Sequence, residues 1–440
     1  MHVLIIGGGT GGMCLAHGLK KAGVSVAVYE RYGSRSDGLY GYRVGIDPTG
    51  SRALHDCLPP RLFDTFVATC ARDPRRFNVL TQSMRTTATF RLPEAEDAVD
   101  AERSVSRSTL RQVLFTGMDD VVHYGKEFIG YDRIPGGRVR ADFGDGTSAT
   151  GDLLVAADGS RSKVREQFLP HARVKDTGIT ALATKTALTP ETRALVPPEA
   201  LEGISLIFGT KGMMGMLHSM EFKWDADGNP KDPADRALLD DWSGLQFDNT
   251  RDYLNLSVWS RHENFPADVT RQRGRELIDT ILASTRNWHP GLRRIFELSD
   301  PQTAFPLKIA TSEPVEPWKT TDITLLGDAI HTMTPGQGVG ANTALRDAAL
   351  LCRQVTAAAN GHKPLLQAVG DYEAEMIPYG FRRVADSLGQ NGTTAADPLY
   401  RPGIGRLALF GARSYFSVTS RVPVLRNRFL DQLSAYRGDA

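Results

Sequence analysis

Near its start the chain carries Gly7-Gly8-Gly9-Thr10-Gly11-Gly12, a G-x-G-x-x-G spacing, and the chemistry this spacing serves is the binding of a pyrophosphate. Such an anion is held by bare backbone N–H groups. Gly7 permits a tight turn, Gly9 lets the main chain approach the phosphates, and Gly12 lets a helix pack closely on a strand, with Thr10 in the same turn. Glu30, eighteen residues after Gly12, suits a ribose, whose hydroxyls donate to a carboxylate. An acid there disfavours a 2′-phosphate, so the pattern points to FAD or NAD rather than NADP and does not separate the first two.

Two further loops put a carboxylate at the end of a strand. One is Asp158-Gly159-Ser160-Arg161-Ser162, with Arg165 a helical turn beyond Arg161. The other is Gly327-Asp328, followed by His331 and by Pro335-Gly336-Gln337-Gly338-Val339-Gly340-Ala341-Asn342. A carboxylate suits ribityl hydroxyls, while a glycine-rich loop entering a helix suits the anionic edge of a reduced isoalloxazine. Taken singly, each loop also has the look of an ordinary βα connection or a capped helix start.

The elements that must position these residues can be read from periodicity and turn residues. Val3–Ile6, Gly11–Ala22 and Val24–Tyr29 form a βαβ unit, and residues 32–42 read as a loop. A helix is expected over Ser108–Phe115, capped by Ser106 or Ser108. A hairpin is expected about Pro135-Gly136-Gly137, and a strand over Asp152–Ala157. From about 174 to 307, strand-like pieces (Ile179–Thr186, Ile204–Phe208, Met213–His218, Tyr253–Ser260) predict a mostly antiparallel sheet with one long helix near Arg271–Ser284. Asp322–Leu326 returns as a buried strand, Ala341–Ala358 as a helix, and the rest is helical, broken by Pro378, Pro398, Pro402 and Pro423. The expected fold is α/β, a discontinuous Rossmann-like domain (residues 1–173 and 308–440, the latter with C-terminal helices) interrupted by a sheet domain at 174–307 that forms the other wall of a cleft.

Bulk properties narrow the field. The 440 residues exceed what one hydrophobic core usually supports, and a net charge of +1 gives no global field toward nucleic acid. The four cysteines, Cys14, Cys57, Cys70 and Cys352, form no C-x-x-C pair, and the ten histidines are scattered, so neither a disulfide framework nor a metal site is expected. The apolar start runs straight into glycines without a basic leader, and no apolar run reaches the roughly 20 residues that span a bilayer, so a cytoplasmic location is the simplest expectation. The arginine-rich stretch 401–428 is expected to pack against the nucleotide domain rather than lie on a membrane.

Together and in this order, the three loops resemble the single-component flavoprotein aromatic hydroxylases of the para-hydroxybenzoate hydroxylase type, a resemblance that covers nearly the whole chain. It implies FAD as cofactor, NADH or NADPH as transient reductant, and an FAD-dependent monooxygenase that hydroxylates an aromatic or polycyclic molecule through a flavin C4a-hydroperoxide. It further implies roles for Glu30 and Arg31 at the adenosine ribose, Gly45 and Arg107 near the cofactor, Asp158 in the D-G motif, Asp328 on the ribityl or pyrophosphate side, and Gly340, Ala341 and Asn342 at the flavin. The loop 335–341 departs by a residue or two from the commoner family pattern. For substrate contact the candidates are Lys185, His218 and Arg43, with Tyr40 and Tyr42 as possible phenol partners; His331 reads as structural rather than as a base. Epoxidation, Baeyer–Villiger oxidation, prenyl reduction and a non-enzymatic NAD-binding sensor stay open as alternatives, as do monomer and homodimer.

Overall fold

A computed structural model describes the chain except for residues 38–42, 95–96, 226, 228, 243–251, 336–337, 390–391, 402 and 439–440. Among the described residues, the chain's first strand sits at the centre of a five-stranded parallel sheet. The order is Ile323–Leu325, Leu153–Ala156, His2–Ile6, Ser25–Tyr29, Val122–His123. Val3, Leu4, Ile5, Leu153, Leu154 and Val155 are wholly buried, as continuous apolar strands covered on both faces must be. Helix Thr10–Lys21 follows the first strand and packs against helix Gly340–Ala359. At Gly11 a Cβ would come within 2.7 Å of Leu326 and 2.9 Å of the Ala344 carbonyl, so the helices meet backbone to backbone.

A seven-stranded sheet, ordered Phe305–Ser312, Val174–Ala187, Tyr253–Arg261, Met214–Met220, Gly203–Phe208, Arg76–Thr81, Thr86–Arg91, forms the second layer. All its neighbours pair antiparallel except Gly203–Phe208 beside Arg76–Thr81. The last two strands come from within the stretch 1–173, so chain from both sides of residue 174 builds this sheet. Alternation sorts its faces. Leu182, Leu217, Leu256 and Val258 point to helices Gly274–Ser284 and Pro290–Glu297 and are fully buried. The opposite face carries half-buried Ala183, Met216, Ser257 and Trp259. Its outer end is closed by helices Ile404–Arg421 and Pro423–Gly438, through Phe90, Phe208, Phe416 and Phe429.

One expectation about the C-terminal part is corrected. Pro378 does not break a helix but lies inside Leu365–Leu388, where Tyr372, Met376 and Tyr379 are buried on both sides of it and tertiary packing outweighs the lost N–H. The arginine-rich helices pack on the edge of the seven-stranded sheet built by residues 76–91, within the stretch 1–173, and touch helix Pro48–Cys57.

The same long helix secures the outer parallel strand. Glu373 accepts hydrogen bonds from Trp318 Nε1 (3.0 Å), Thr320 Oγ1 (2.6 Å) and Thr324 Oγ1 (2.9 Å) while 3% exposed. Burial pushes its carboxyl up, opposed by these three donors. Glu373→Ala strands three donors at once, and we expect a stability loss of about 2–4 kcal/mol in urea titration. A loss within about 0.5 kcal/mol of zero would show that the strand is held by its apolar neighbours alone.

Candidate functional site

Three of the chemistry-bearing loops leave the parallel sheet side by side, at the carboxyl ends of three adjacent strands. Gly7 follows His2–Ile6, Asp158 follows Leu153–Ala156, and Asp328 follows Ile323–Leu325; Glu30 follows the next strand, Ser25–Tyr29. A crevice outside the carboxyl ends of parallel strands is where open α/β sheets bind ligands.

The glycine turn is built for close approach. Gly7 has φ +105°, and a Cβ there would lie 2.4 Å from the Ala157 carbonyl oxygen. At Gly12 a Cβ would lie 2.4 Å from the Gly7 carbonyl and 2.9 Å from the Ala157 methyl, so no side chain fits. Gly9 is exposed and open, and helix Thr10–Lys21, which it begins, has no side-chain cap. Thr10 is the helix's first residue. The positive end of that helix therefore faces an accessible space free of side chains.

Glu30 is 5% exposed and accepts the N–H of Gly8 (2.9 Å) and of Tyr32 (3.0 Å). Arg111 stands 3.8 Å from it, donates to the Gly8 carbonyl (3.0 Å) and lies over the Phe115 ring. Arg31 is exposed and reaches the Tyr32 hydroxyl (3.2 Å). Arg111 is the residue that sequence reading passed over. Its signal was its place four residues after Arg107, one turn along the Arg107–Phe115 helix, which puts both on one side.

Asp158 accepts the Lys163 N–H (3.0 Å), and burial pushes its carboxyl up. Arg165 bridges two of the loops, donating to the carbonyls of Ser160 and Ala329, each at 2.9 Å. Asp328 is open to solvent yet surrounded by protein, as a group lining a deep cleft is. Burial pushes its carboxyl up, against the pull of His331 and Arg107. Arg107 is itself exposed.

Asn342 does not present a free amide. Its Oδ1 accepts the Asp47 N–H (3.1 Å), and its Nδ2 donates to the carbonyls of Gly45 (2.9 Å) and Gly338 (3.3 Å). It ties the first turn of helix Gly340–Ala359 to the Arg43–Ile46 strand, leaving the backbone of Gly340 and Ala341, both half-buried, at the mouth of the loop. On the same strand, Arg43 donates to Ser104 Oγ (2.8 Å) and reaches His218 Nε2 (3.5 Å) on the seven-stranded sheet. Lys185 lies two strands further across, with Tyr253–Arg261 between, its Nζ 4.2 Å from the centre of the Tyr253 ring. Tyr40, Tyr42, Gly336 and Gln337 lie outside the described residues.

Residues 289–380 match the family "FAD binding domain" and residues 5–66 match "NAD(P)-binding Rossmann-like domain". A solved structure described as an FAD-containing monooxygenase from Photorhabdus luminescens is 32% identical, with 88% of this chain and 96% of that one covered and a TM-score of 0.75. The chain belongs to the FAD-dependent monooxygenases. It has their α/β fold, with FAD as cofactor, as the three loops imply. A dual O-methyltransferase/FAD-dependent monooxygenase from Phaeosphaeria nodorum is 31% identical over 435 residues, 94% of this chain but 46% of the relative, so the chain spans about half the length of that relative. Klebsiella pneumoniae HpxO, solved with FAD and uric acid, shares the fold at 22% identity, with 98% and 96% of the two chains covered and a TM-score of 0.73. In an FAD monooxygenase the open Gly9 turn fits the pyrophosphate, and the accessible Asp328 carboxylate fits the ribityl side of the cofactor.

His331 has no access to this cleft. It is fully buried, its Nε2 2.6 Å from Asp347, which also accepts the Gly327 N–H (2.7 Å) and the Tyr379 hydroxyl. Burial alone would depress the imidazole, but the Asp347 carboxylate outweighs it and holds the His331 pKa above its ordinary value. A raised folded-state pKa means stability that is fully present below the unfolded value of about 6.5 and is lost as pH rises through the folded one. We expect the urea midpoint to fall across that window and the fall to be shallower in His331→Gln. Equal slopes would show that this imidazole does not titrate with folding.

Proposed function

We propose that the chain is an NAD(P)H-dependent flavin hydroxylase acting on an aromatic or polycyclic small molecule. The observation that carries this reading is the meeting of the cofactor strand with the large sheet: Gly45 is joined to the loop residue Asn342, and Arg43, two residues away, reaches His218. The space beside that meeting is bounded by the half-buried face bearing Ala183, Met216, Ser257 and Trp259. Small, sulfur-bearing and aromatic side chains in one layer suit a flat apolar ring, with a few polar groups to orient it. The dual relatives support hydroxylation in particular, since an O-methyltransferase takes as acceptor the hydroxyl that a hydroxylase installs.

In this reading Gly7, Gly9, Thr10 and Gly12 offer backbone to the pyrophosphate, with Glu30 and Arg31 at the adenosine ribose and Arg111 steadying Glu30. Arg107, Asp158 and Asp328 serve the middle of the cofactor. Gly340 and Ala341 offer N–H groups to the flavin edge, while Asn342 and Gly45 fix that loop rather than touch substrate. Bound FAD, reduced by NADH or NADPH, supplies activation of O₂ and delivery of one oxygen atom to the ring. The protein holds the ring against the sheet and excludes water. The Arg43 charge, held beside His218 Nε2 (3.5 Å), favours the phenolate form of a substrate hydroxyl, and His218 positions that guanidinium. Lys185 sets the far end of the polar row.

The test is oxidation of NADH and NADPH with phenols and polycyclic aromatics under isotope-labelled dioxygen, followed by mass spectrometry. We expect one labelled oxygen in the product; reduced-nucleotide oxidation that yields only hydrogen peroxide across the panel would overturn the reading. Glu30→Ala and Asp328→Ala each remove a charge-assisted hydrogen bond, and FAD affinity should fall by roughly 10- to 100-fold in each. Full retention of FAD by both variants would refute the cofactor placement.

A further inference from the structure

The outer surface of the C-terminal helices has no partner in the fold and no part in the chemistry above. Of the twelve large apolar side chains exposed among the described residues, eight fall between 404 and 425. Leu407, Phe410 and Val424 are 72%, 71% and 75% exposed, more open than any of the other nine. Ile404, Leu407, Tyr415 and Val418 recur at helical spacing on one side of Ile404–Arg421, with exposed Val422 just past its end, while Ala408, Leu409, Ala412 and Phe416 face the sheet. The helix is thus apolar on both sides, and only one of them is covered.

Charge states what covers the other. Residues 398–430 contain six arginines and no aspartate or glutamate, although the whole chain is close to neutral. Arg413 turns inward to the Phe208 carbonyl, and the other five are exposed. At the start of helix Ile404–Arg421 is a pocket of about 430 Å³, with Lys211, Arg261, Arg401 and Arg406 in its wall. Arg261 is held by Glu263 (2.9 Å); Lys211, Arg401 and Arg406 have no ion-pair partner among the described residues. The helix begins there without a side-chain cap, so its positive end adds to theirs. A second copy of the chain would bring five more exposed arginines to this surface and no acid to meet them.

We propose that helices Ile404–Arg421 and Pro423–Gly438 dock on the surface of an anionic phospholipid bilayer. The apolar side enters the headgroup boundary, the flanking arginines meet anionic lipid, and the pocket at Lys211 and Arg406 seats a lipid phosphate. An apolar stripe rimmed by arginine is the form that interfacial helices take. No described helix is long and apolar enough to cross a membrane, so the contact is with the surface alone.

Flotation of the FAD-loaded protein with phosphatidylcholine vesicles, with and without phosphatidylserine, tests this. We expect binding to the anionic vesicles at least roughly tenfold tighter than to the neutral ones, weakening as salt is raised. Leu407→Glu with Phe410→Glu should abolish it, and Arg421→Glu with Arg426→Glu should weaken it severely. Lys211→Ala with Arg406→Ala should lower it least for phosphatidylcholine and most for phosphatidic acid. Flavin absorbance and Tm report that each variant is folded, and this readout is independent of whether the hydroxylase reading holds. Absence of binding to anionic vesicles by the unaltered protein would overturn the proposal, as would equal binding by the variants. A dimer of the unaltered protein that Leu407→Glu with Phe410→Glu converts to monomer would give the surface to a second copy and overturn it too.

Discussion

The structure turns on a place where no side chain fits. Between Gly7, Gly12 and Ala157, an added Cβ would fall within 2.4 Å of a carbonyl oxygen at either glycine. Two neighbouring strands and the first turn of a helix can meet there only if the chain gives up its side chains. That closeness brings the Asp158 loop against the glycine turn and puts the uncapped helix end at the carboxyl edge of the sheet. Every group assigned to the cofactor is placed relative to this contact. A substitution here acts on the fold before it acts on any ligand.

Helix Gly340–Ala359 carries that arrangement outward. Its Ala344 packs under both Gly11 and Gly327, its Asp347 collects Gly327, His331 and Tyr379, and its Asn342 fastens the strand bearing Gly45. One helix thus sets the height of the Asp328 loop above the sheet and its distance from the loop opposite. Polar groups of this kind are costly to bury unless satisfied, and their density along one helix face makes the loop geometry specific. His331 belongs to this scaffold, and its proximity to Asp328 in sequence does not bring it into the cleft.

Much of this was legible because backbone geometry demands particular residues. A turn at φ +105° or a contact at 2.4 Å calls for glycine wherever it occurs, so the G-x-G-x-x-G spacing, the acid at Glu30 and the two loop aspartates mark their positions in sequence. Strands such as Ile204–Phe208 were legible through alternation. The pairing of Arg76–Thr81 with Gly203–Phe208 was not, because partners more than a hundred residues apart leave no local trace. Arg111 was missed for a related reason: only the tertiary approach of Glu30 gives it a role. Pro378 misled because its local effect was real but smaller than the packing around it. The arginine-rich stretch 401–428 stood out in sequence, but which of its side chains stay uncovered depends on the packing of its helices, and the near-neutral sum says nothing of where charges lie.

The ribbon formed by Arg43–Ile46 and Arg103–Ser106 shows why the proposed substrate wall was harder to read than the cofactor cradle. One strand sends Arg43 toward the large sheet and gives the Gly45 carbonyl to Asn342; the other runs directly into the helix that begins with Arg107, whose charge Asp328 feels. Four-residue strands have too short a period to announce themselves, and arginine at either end looks like a solvated loop residue. Their function arises from being pinned between two sheets, a constraint neither segment contains. The cradle is written in residues that only one backbone shape can accept, whereas the proposed wall is written in ordinary side chains such as Ala183, Met216 and Ser257, which acquire meaning from what lies opposite. Relatives can therefore keep the first nearly fixed while the second changes, and substrate choice is free to diverge on a constant cofactor site.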